Sequence, residues 1–531
     1  MTTQITTTGI ASMALDPTTG LLGYTTDTGF FRVVDLATGE RVESYNLGGA
    51  LGGFAFADDG SAYIAQVENA AYWTYEEQDG VLHHLDRGEP AVENITWALD
   101  YGNSSATDIA IASNGLALVT VTSQWTPLYV LDTATGAISE YVGASYNSYY
   151  SPRVTISDGG RYALVQEVGS SGGTVHLWDS QTNTIVAETS NFENDWDNGY
   201  GDEDGAVSEA AGLIVQSNLH VYDMELNGIA DLSGIIGASV DEYGYTITTS
   251  WEATAFSADG AFLYALDADR DLLIAIDTND LTLADAYAFD VPTSEDRYTP
   301  NVADMLIAAD GRVVVQATDA VVTARIADLD APDPVGTDDA DVLVGSAAND
   351  ALFGLGGNDA LIGARGADTL TGGAGDDELR GGAGDDVLEG GQGDDVMEGG
   401  AGADRFVVSA NDLGRDEIVG FEMQDVIVLR ASTDVRSTDD ITLLRVGDDV
   451  TVTITDDASL ILRDVQGAVS SIQFDVIPVI EGTDGDDRIL GTDGDDVMDG
   501  RGGDDELVGG DGADEIQGGA GADVIWGDAM G

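Results

Sequence analysis

The sequence predicts an all-β chain: a seven-bladed β-propeller followed by parallel β-roll blocks, with a β-rich cap between them. Three observations carry this expectation. Helical periodicity is nearly absent over residues 1–330, a turn glycine returns there about every 48 residues, and from Gly336 the chain reads in nines.

The nine-residue units come first because they are the most regular. From Gly336 they run GTDDADVLV, GSAANDALF, GLGGNDALI, GARGADTLT, GGAGDDELR, GGAGDDVLE, GGQGDDVME and GGAGADRFV. The sixth position is always Asp: Asp341, Asp350, Asp359, Asp368, Asp377, Asp386, Asp395 and Asp404. The eighth is always large and apolar: Leu343, Leu352, Leu361, Leu370, Leu379, Leu388, Met397 and Phe406. A second block from Gly482 adds Asp487, Asp496, Asp505, Asp514 and Asp523, with Ile489, Met498, Leu507, Ile516 and Ile525 two residues after each. A disordered acidic linker has no reason to keep an apolar residue at every ninth place.

Six residues of each unit suit a Gly-rich turn, and three suit a short strand whose middle side chain points inward. Glycine admits positive φ and lets main-chain carbonyls crowd a single ion, as expected around Gly372, Gly375, Gly381, Gly384, Gly390 and Gly393. The Asp supplies a hard carboxylate oxygen, which calcium prefers. Two units make one coil. Stacked strands lie about 4.8 Å apart and a calcium–oxygen bond is about 2.4 Å, so an ion between equivalent turns fits the step. The expected metal ligands are Asp350, Asp359, Asp368, Asp377, Asp386, Asp395, Asp404, Asp487, Asp496, Asp505, Asp514 and Asp523. Asp339 and Ala348 stand where the fourth-position glycine belongs, so the first two units are expected to bind weakly or not at all.

Energy points to an obligatory ion. One buried Leu-sized side chain contributes roughly 1.5–3 kcal/mol. Ordering the backbone costs roughly 1–2 kcal/mol for each of the nine residues. Burial alone loses, so calcium loading and folding are expected to be one event.

These units resemble the RTX (repeats-in-toxin) family, whose motif GGxGxDxUx forms a parallel β-roll. The resemblance covers 336–407 and 482–526, and GGAGDDVLE at 381–389 fits at every defined position. It implies a secreted, extracellular protein, exported unfolded through a type I secretion machinery and folding in calcium outside. That suits an N-terminus with neither a basic n-region nor an apolar h-region, and a chain with no cysteine. Residues 411–421 and 425–429 resemble the β-rich segment that caps such rolls in secreted proteases. The clean alternation over 441–464, with turns at Gly447-Asp448-Asp449 and Asp456-Asp457, reads as hairpins sealing the first roll's open end.

Upstream, a looser unit repeats: an apolar strand, a turn ending in Gly, a second strand, and a third ending near Asp. The turn glycines are Gly20, Gly60, Gly115, Gly160, Gly212, Gly260 and Gly311. Seven four-stranded units at this period make a propeller. The seventh has three strands of its own, near 303–308, 312–317 and 321–327. The spare segment 4–8 is expected to pair there and close the ring. The predicted boundaries are a propeller over 1–329, a linker over 330–335, a roll over 336–407, a cap over 408–480 and a second roll over 481–531. The pattern resembles YVTN-type bacterial propellers.

A net charge of −78, with all 19 cationic residues Arg, repels nucleic acid and anionic membranes and favours cations. No apolar run approaches the roughly 18 residues that suggest a membrane span. The propeller carries no GxSxG, HExxH or paired cysteine. His176 and His220 occupy equivalent third-strand places, and His83-His84 is expected in a loop. Aromatics gather before the inner strands: Trp97, Tyr101, Tyr146, Tyr149, Tyr150, Trp196, Tyr200, Tyr243, Tyr245, Trp251 and Tyr298. Of these, Tyr149, Tyr150, Trp196, Tyr200 and Trp251 are the candidate ligand contacts. Exposed, they suit a sugar; wedged between blades, they are structural. Asp195, Asp197, Asp202 and Asp204 offer oxygen ligands in an acidic loop with a similar ambiguity.

The expected function is a secreted calcium-binding protein whose propeller binds a glycan or a cell-surface or matrix partner. A secreted hydrolase or lactonase, with its site at the propeller mouth, is the alternative that the YVTN-type resemblance leaves open.

Overall fold

A computed structural model of the chain describes residues 3–6, 9–67, 79–88, 91–99, 105–121, 128–141, 153–166, 175–189, 205–216, 219–236, 239–240, 246–247, 251, 253–267, 270, 272–289, 291, 302–317, 320–329, 335–409, 414–430, 441–447, 449–453, 459–463, 465, 472–477, 479–483, 485–491, 496–510 and 515–528. They divide into two compact units.

The N-terminal unit holds seven four-stranded antiparallel sheets. Its first runs Ile10–Leu15, Leu22–Thr26, Phe30–Val34 and Arg41–Asn46. All seven anticipated turn glycines take φ between +69° and +84°, a region that only glycine enters freely. The Asp at the end of the third strand also has a task. Asp35, Asp132, Asp179, Asp223 and Asp277 each accept the N–H two residues on, at 2.7–3.0 Å, turning the chain into the fourth strand. Second and third strands are buried on both faces, as in Leu22–Thr26 and Val175–Asp179, while fourth strands such as Arg41–Asn46 meet solvent. Apolar clusters join neighbouring sheets: Phe31 and Val33 of the first pack on Phe54 and Ile64 of the second.

Ring closure follows the expected route. Thr3–Thr6 pairs antiparallel with Ala320–Arg325, placing Ile5 opposite Val321 and supplying the seventh sheet's missing strand. Ile5 then packs with Met13 and Leu22 of the first sheet and Val314 of the seventh.

The C-terminal unit begins as two parallel sheets. One stacks Val342–Val344, Ala360–Arg365, Glu378–Ala383 and Val396–Ala401; the other stacks Ala351–Gly356, Thr369–Ala374, Val387–Gln392 and Arg405–Ser409. Consecutive rungs of one sheet come from alternate nonapeptides, so two units make a coil. The register puts Leu343, Leu361, Leu379 and Met397 in one inward column and Leu352, Leu370, Leu388 and Phe406 in the other. Together they form a single apolar core.

Beyond 408, where a β-rich cap was expected, the roll itself continues. Arg415–Val419 and Val426–Arg430 add a further parallel rung to each sheet, with Ile418 and Ile427 extending the core columns. Only Thr442–Val446, Asp449–Thr453 and Ser459–Leu462 form an antiparallel meander, attached to the first sheet through Arg415–Val419. A shorter roll follows, with two three-stranded parallel sheets spanning Val479–Glu481 to Val524–Asp528. Among the described residues no helix is long and apolar enough to cross a membrane.

Candidate metal centre

The sixth-position aspartates stand in two columns beside the core columns. Asp359, Asp368, Asp377, Asp386, Asp395 and Asp404 are at most 3% exposed. One carboxylate oxygen of each is spoken for. Asp377 Oδ1 accepts the backbone N–H of Asp359 one coil earlier at 2.8 Å, Asp386 that of Asp368 at 2.8 Å, and Asp404 that of Asp386 at 3.0 Å. Oδ2 of Asp359, Asp368, Asp377, Asp386, Asp404 and Asp505 is buried and meets no hydrogen-bond donor.

An unpaired buried carboxylate oxygen is costly unless a cation comes to it. Burial pushes the carboxyls of Asp359, Asp377 and Asp404 up to about 6 and that of Asp368 up to about 7, with neighbouring carboxylates adding to the rise. Asp386 is raised in the same direction, again chiefly by burial.

Each such oxygen lies against a first-position glycine that leaves no room for a side chain. A Cβ placed on Gly372 would lie 2.4 Å from Asp377 Oδ2 and 2.6 Å from the Gly390 carbonyl oxygen; on Gly381 the corresponding distances are 2.5 and 2.7 Å. At Gly390 the Asp395 carboxylate would be 2.2 Å away. All are far too short for carbon against oxygen, so only glycine lets a carboxylate and a main-chain carbonyl of the next coil converge there. Gly375, Gly384 and Gly393 bring the coils together: a Cβ there would fall 1.4–1.8 Å from a carbonyl oxygen of the preceding coil. Among the described residues no three carboxylates or imidazoles converge, and main-chain carbonyls such as that of Gly390 lie beside the unpaired oxygens. Carboxylate and carbonyl oxygens make a hard, oxygen-only donor set that suits calcium and not zinc or copper.

A family model for the RTX calcium-binding nonapeptide repeat matches the chain in four copies, over residues 335–370, 371–406, 479–507 and 499–529. The chain carries RTX calcium-binding repeats. No curated protein matches it. Among solved structures it is similar to hydrazine synthase of Kuenenia stuttgartiensis, at 14% identity and TM-score 0.41 over 60% of this chain and 96% of that one. It is also similar to the β-propeller domain of Myceliophteria thermophila Cps50 (Swd1), at 11% identity and TM-score 0.42 over 61% and 100%. This is a calcium-binding protein that takes several ions, built from a propeller and an RTX roll.

Not every expected ligand stands in the same surroundings. Asp350 and Asp487 are only half-buried, and their Oδ2 atoms accept hydrogen bonds from Ser346 and Thr483. Asp496 and Asp505 are buried, Asp523 accepts the Asp505 N–H through Oδ1 at 2.9 Å, and Asp514 lies outside the described residues. Two residues that the spacing concealed join the columns. Asp416 and Asp425 are 4% and 2% exposed, and accept the backbone N–H groups of Asp395 and Asp404 at 3.3 and 3.2 Å. They follow their partners by 21 residues where earlier steps are 18. A three-residue insertion hides them from a search in nines.

In the propeller, Tyr149, Tyr150, Trp196 and Tyr200 lie outside the described residues, as do Asp195, Asp197, Asp202 and Asp204. Trp251 is buried, its indole N–H donating to the Ser233 carbonyl at 3.3 Å. Trp97 packs its ring 5.6 Å from that of Tyr129. His83 and His84, expected in a loop, belong to the strand Asp79–Leu85. Alternation sends them to opposite sides: His83 turns inward, its Nδ1 2.9 Å from Asn94 Oδ1, and His84 stacks on Tyr63. Burial holds His83 and His176 below the usual histidine range, which suits neutral packing residues.

Proposed function

We propose that this protein is secreted through a type I machinery, that its tail closes as extracellular calcium arrives, and that its propeller holds an extracellular partner, a glycan or a cell-surface or matrix protein. The observation that carries the first part is that the buried Oδ2 atoms of Asp359, Asp368, Asp377, Asp386 and Asp404 meet no donor. In a low-calcium cytosol those carboxylates oppose folding, and an unfolded tail suits passage through a channel. Outside, the ion supplies the missing charge and the coils stack. Asp359, Asp368, Asp377, Asp386, Asp395, Asp404 and Asp505 are the carboxylate ligands on this reading, with main-chain carbonyls about Gly372, Gly381 and Gly390 completing the shell.

The partner reading rests on Tyr149, Tyr150, Trp196 and Tyr200, which fall in the chain segments 142–152 and 190–204 between consecutive sheets, amid Asp and Asn. Trp251 contributes through packing. Calcium titration of the full chain, followed by far-ultraviolet circular dichroism, tests the tail: strand content should rise with calcium and fall on chelation. A glycan screen of the Tyr149→Ala/Trp196→Ala variant tests the propeller. Lost binding with an unchanged melt supports the reading, and retained binding overturns the assignment of these residues.

A further inference from the structure

The second residue of the nonapeptide takes one of two backbone states. In most turns it is left-handed: φ is +76° at Leu355, +75° at Ala364, between +98° and +115° at Gly373, Gly382, Gly391 and Gly400, and +66° at Arg501. Thr337, Ser346 and Thr483 stay out of that region. Their main-chain N–H groups instead donate to the Asp Oδ2 of their own unit, at 2.6 Å to Asp341, 2.7 Å to Asp350 and 2.6 Å to Asp487. Their hydroxyls add a second bond to the same atom, at 2.9, 3.0 and 2.8 Å.

That atom is the one left without a donor in Asp359, Asp368, Asp377, Asp386, Asp404 and Asp505. The carboxylate also swings away from the space beside the first-position glycine. A Cβ on Gly336, Gly345 or Gly482 would lie 2.8, 3.0 or 3.1 Å from it, against 2.2–2.5 Å at Gly354, Gly363, Gly372, Gly381, Gly390 and Gly399.

The residue type explains the state. A β-branched Thr resists positive φ and carries a hydroxyl at hydrogen-bonding reach; glycine does neither. Leu355, Ala364 and Arg501 enter the left-handed region against the preference of any residue with a Cβ, so the turn imposes it. Two donors on one carboxylate oxygen do for the hydroxyl turns what a cation does for the others.

The placement is not scattered. Thr337 and Ser346 belong to the two units of the first roll's opening coil, and Thr483 to the opening unit of the second roll. An opening coil has no coil before it to donate a backbone N–H to its Asp Oδ1, as Asp359 does to Asp377. We propose that the second residue decides whether a turn takes calcium, and that Thr337, Ser346 and Thr483 latch the first coil of each roll shut without an ion. This rests on the calcium reading of the tail and assigns which turns stay outside it. The latched coil gives the first calcium-loaded coil a strand edge to add to, and stacking then proceeds by nearest neighbours.

Counting bound ions tests it. Thr483→Gly is the cleaner gain variant, because Gly485 already supplies the fourth-position glycine that Asp339 and Ala348 replace in the first roll. Ala364→Thr is the converse, since Ala364 already carries a Cβ in the left-handed state. Equilibrium dialysis of the full chain against calcium alone should show one more ion for Thr483→Gly than for the unsubstituted protein, and one fewer for Ala364→Thr. Circular dichroism at saturating calcium should report the same strand content for all three. Equal counts in all three proteins, or fewer ions in Thr483→Gly, would overturn the latch while leaving the calcium tail intact. An unsubstituted protein that binds no calcium would instead sink the reading on which it rests.

Discussion

The propeller and the roll both bury aspartates, and they satisfy them differently. In the propeller the partner is part of the chain. Asp179 pairs with Arg161 at 2.8 Å, which holds its carboxyl below the usual range, and Asp16 receives Arg87 together with the hydroxyls of Thr18 and Thr19. In the roll, Oδ2 of Asp359, Asp368, Asp377, Asp386 and Asp404 meets no donor, and those carboxyls rise. Apolar burial shows the same contrast. A propeller strand such as Leu272–Asp277 buries nearly every residue, whereas a roll strand such as Glu378–Ala383 buries Leu379 and a glycine. The propeller pairs these aspartates with its own side chains, and the roll leaves an oxygen of each for a cation from the medium.

The largest separation of the two should come from chelation. Removing calcium at neutral pH should abolish the strand signal and the exchange protection of 335–528 while the seven propeller sheets stay protected, as read by hydrogen exchange with mass analysis. Simultaneous loss in both halves would break the contrast. Deleting residues 1–9 attacks the other side. It removes Thr3–Thr6 from the seventh sheet and Ile5 from the closing cluster, and should lower the propeller melt by on the order of 5 °C or more with the calcium midpoint of the tail unmoved.

A substitution within the roll sharpens the point. Leu379 is fully buried, so Leu379→Ala should cost about 2–5 kcal/mol. Because folding and loading are linked, the cost should appear as a higher calcium midpoint, with the propeller melt unchanged. The smallest effect is expected from pH. Ligand carboxyls pushed up to about 6 and 7 must lose their protons before calcium enters. Protons therefore compete as pH falls through that range, and the calcium midpoint should rise between pH 7.5 and roughly 5.5 while the propeller melt moves less.

Much of this contrast was legible in the residues. An Asp at the sixth place of every nine and an apolar residue two later specify the coil, because each has one physical task in every unit. The seven turn glycines were visible for the same reason. Asp416 and Asp425 were hidden because the insertion before them breaks the spacing, although their place in the columns does not change. Thr337, Ser346 and Thr483 look like tolerated variation in a string. Their meaning lies in a peptide orientation and in the atom their hydroxyls reach. His83 and His84 misled because a polar pair in sequence resembles a loop, while a strand separates its two members by alternation. Trp97 and Trp251 show the limit of composition: an aromatic ring before an inner strand reads alike whether it faces a ligand or a neighbouring strand.

The most direct measurement is anomalous diffraction from crystals of the full chain grown in calcium. Ordered peaks within calcium–oxygen bonding distance of Oδ2 of Asp359, Asp368, Asp377, Asp386 and Asp404 are the predicted result. Well-ordered turns with no peak beside those five atoms would contradict the account.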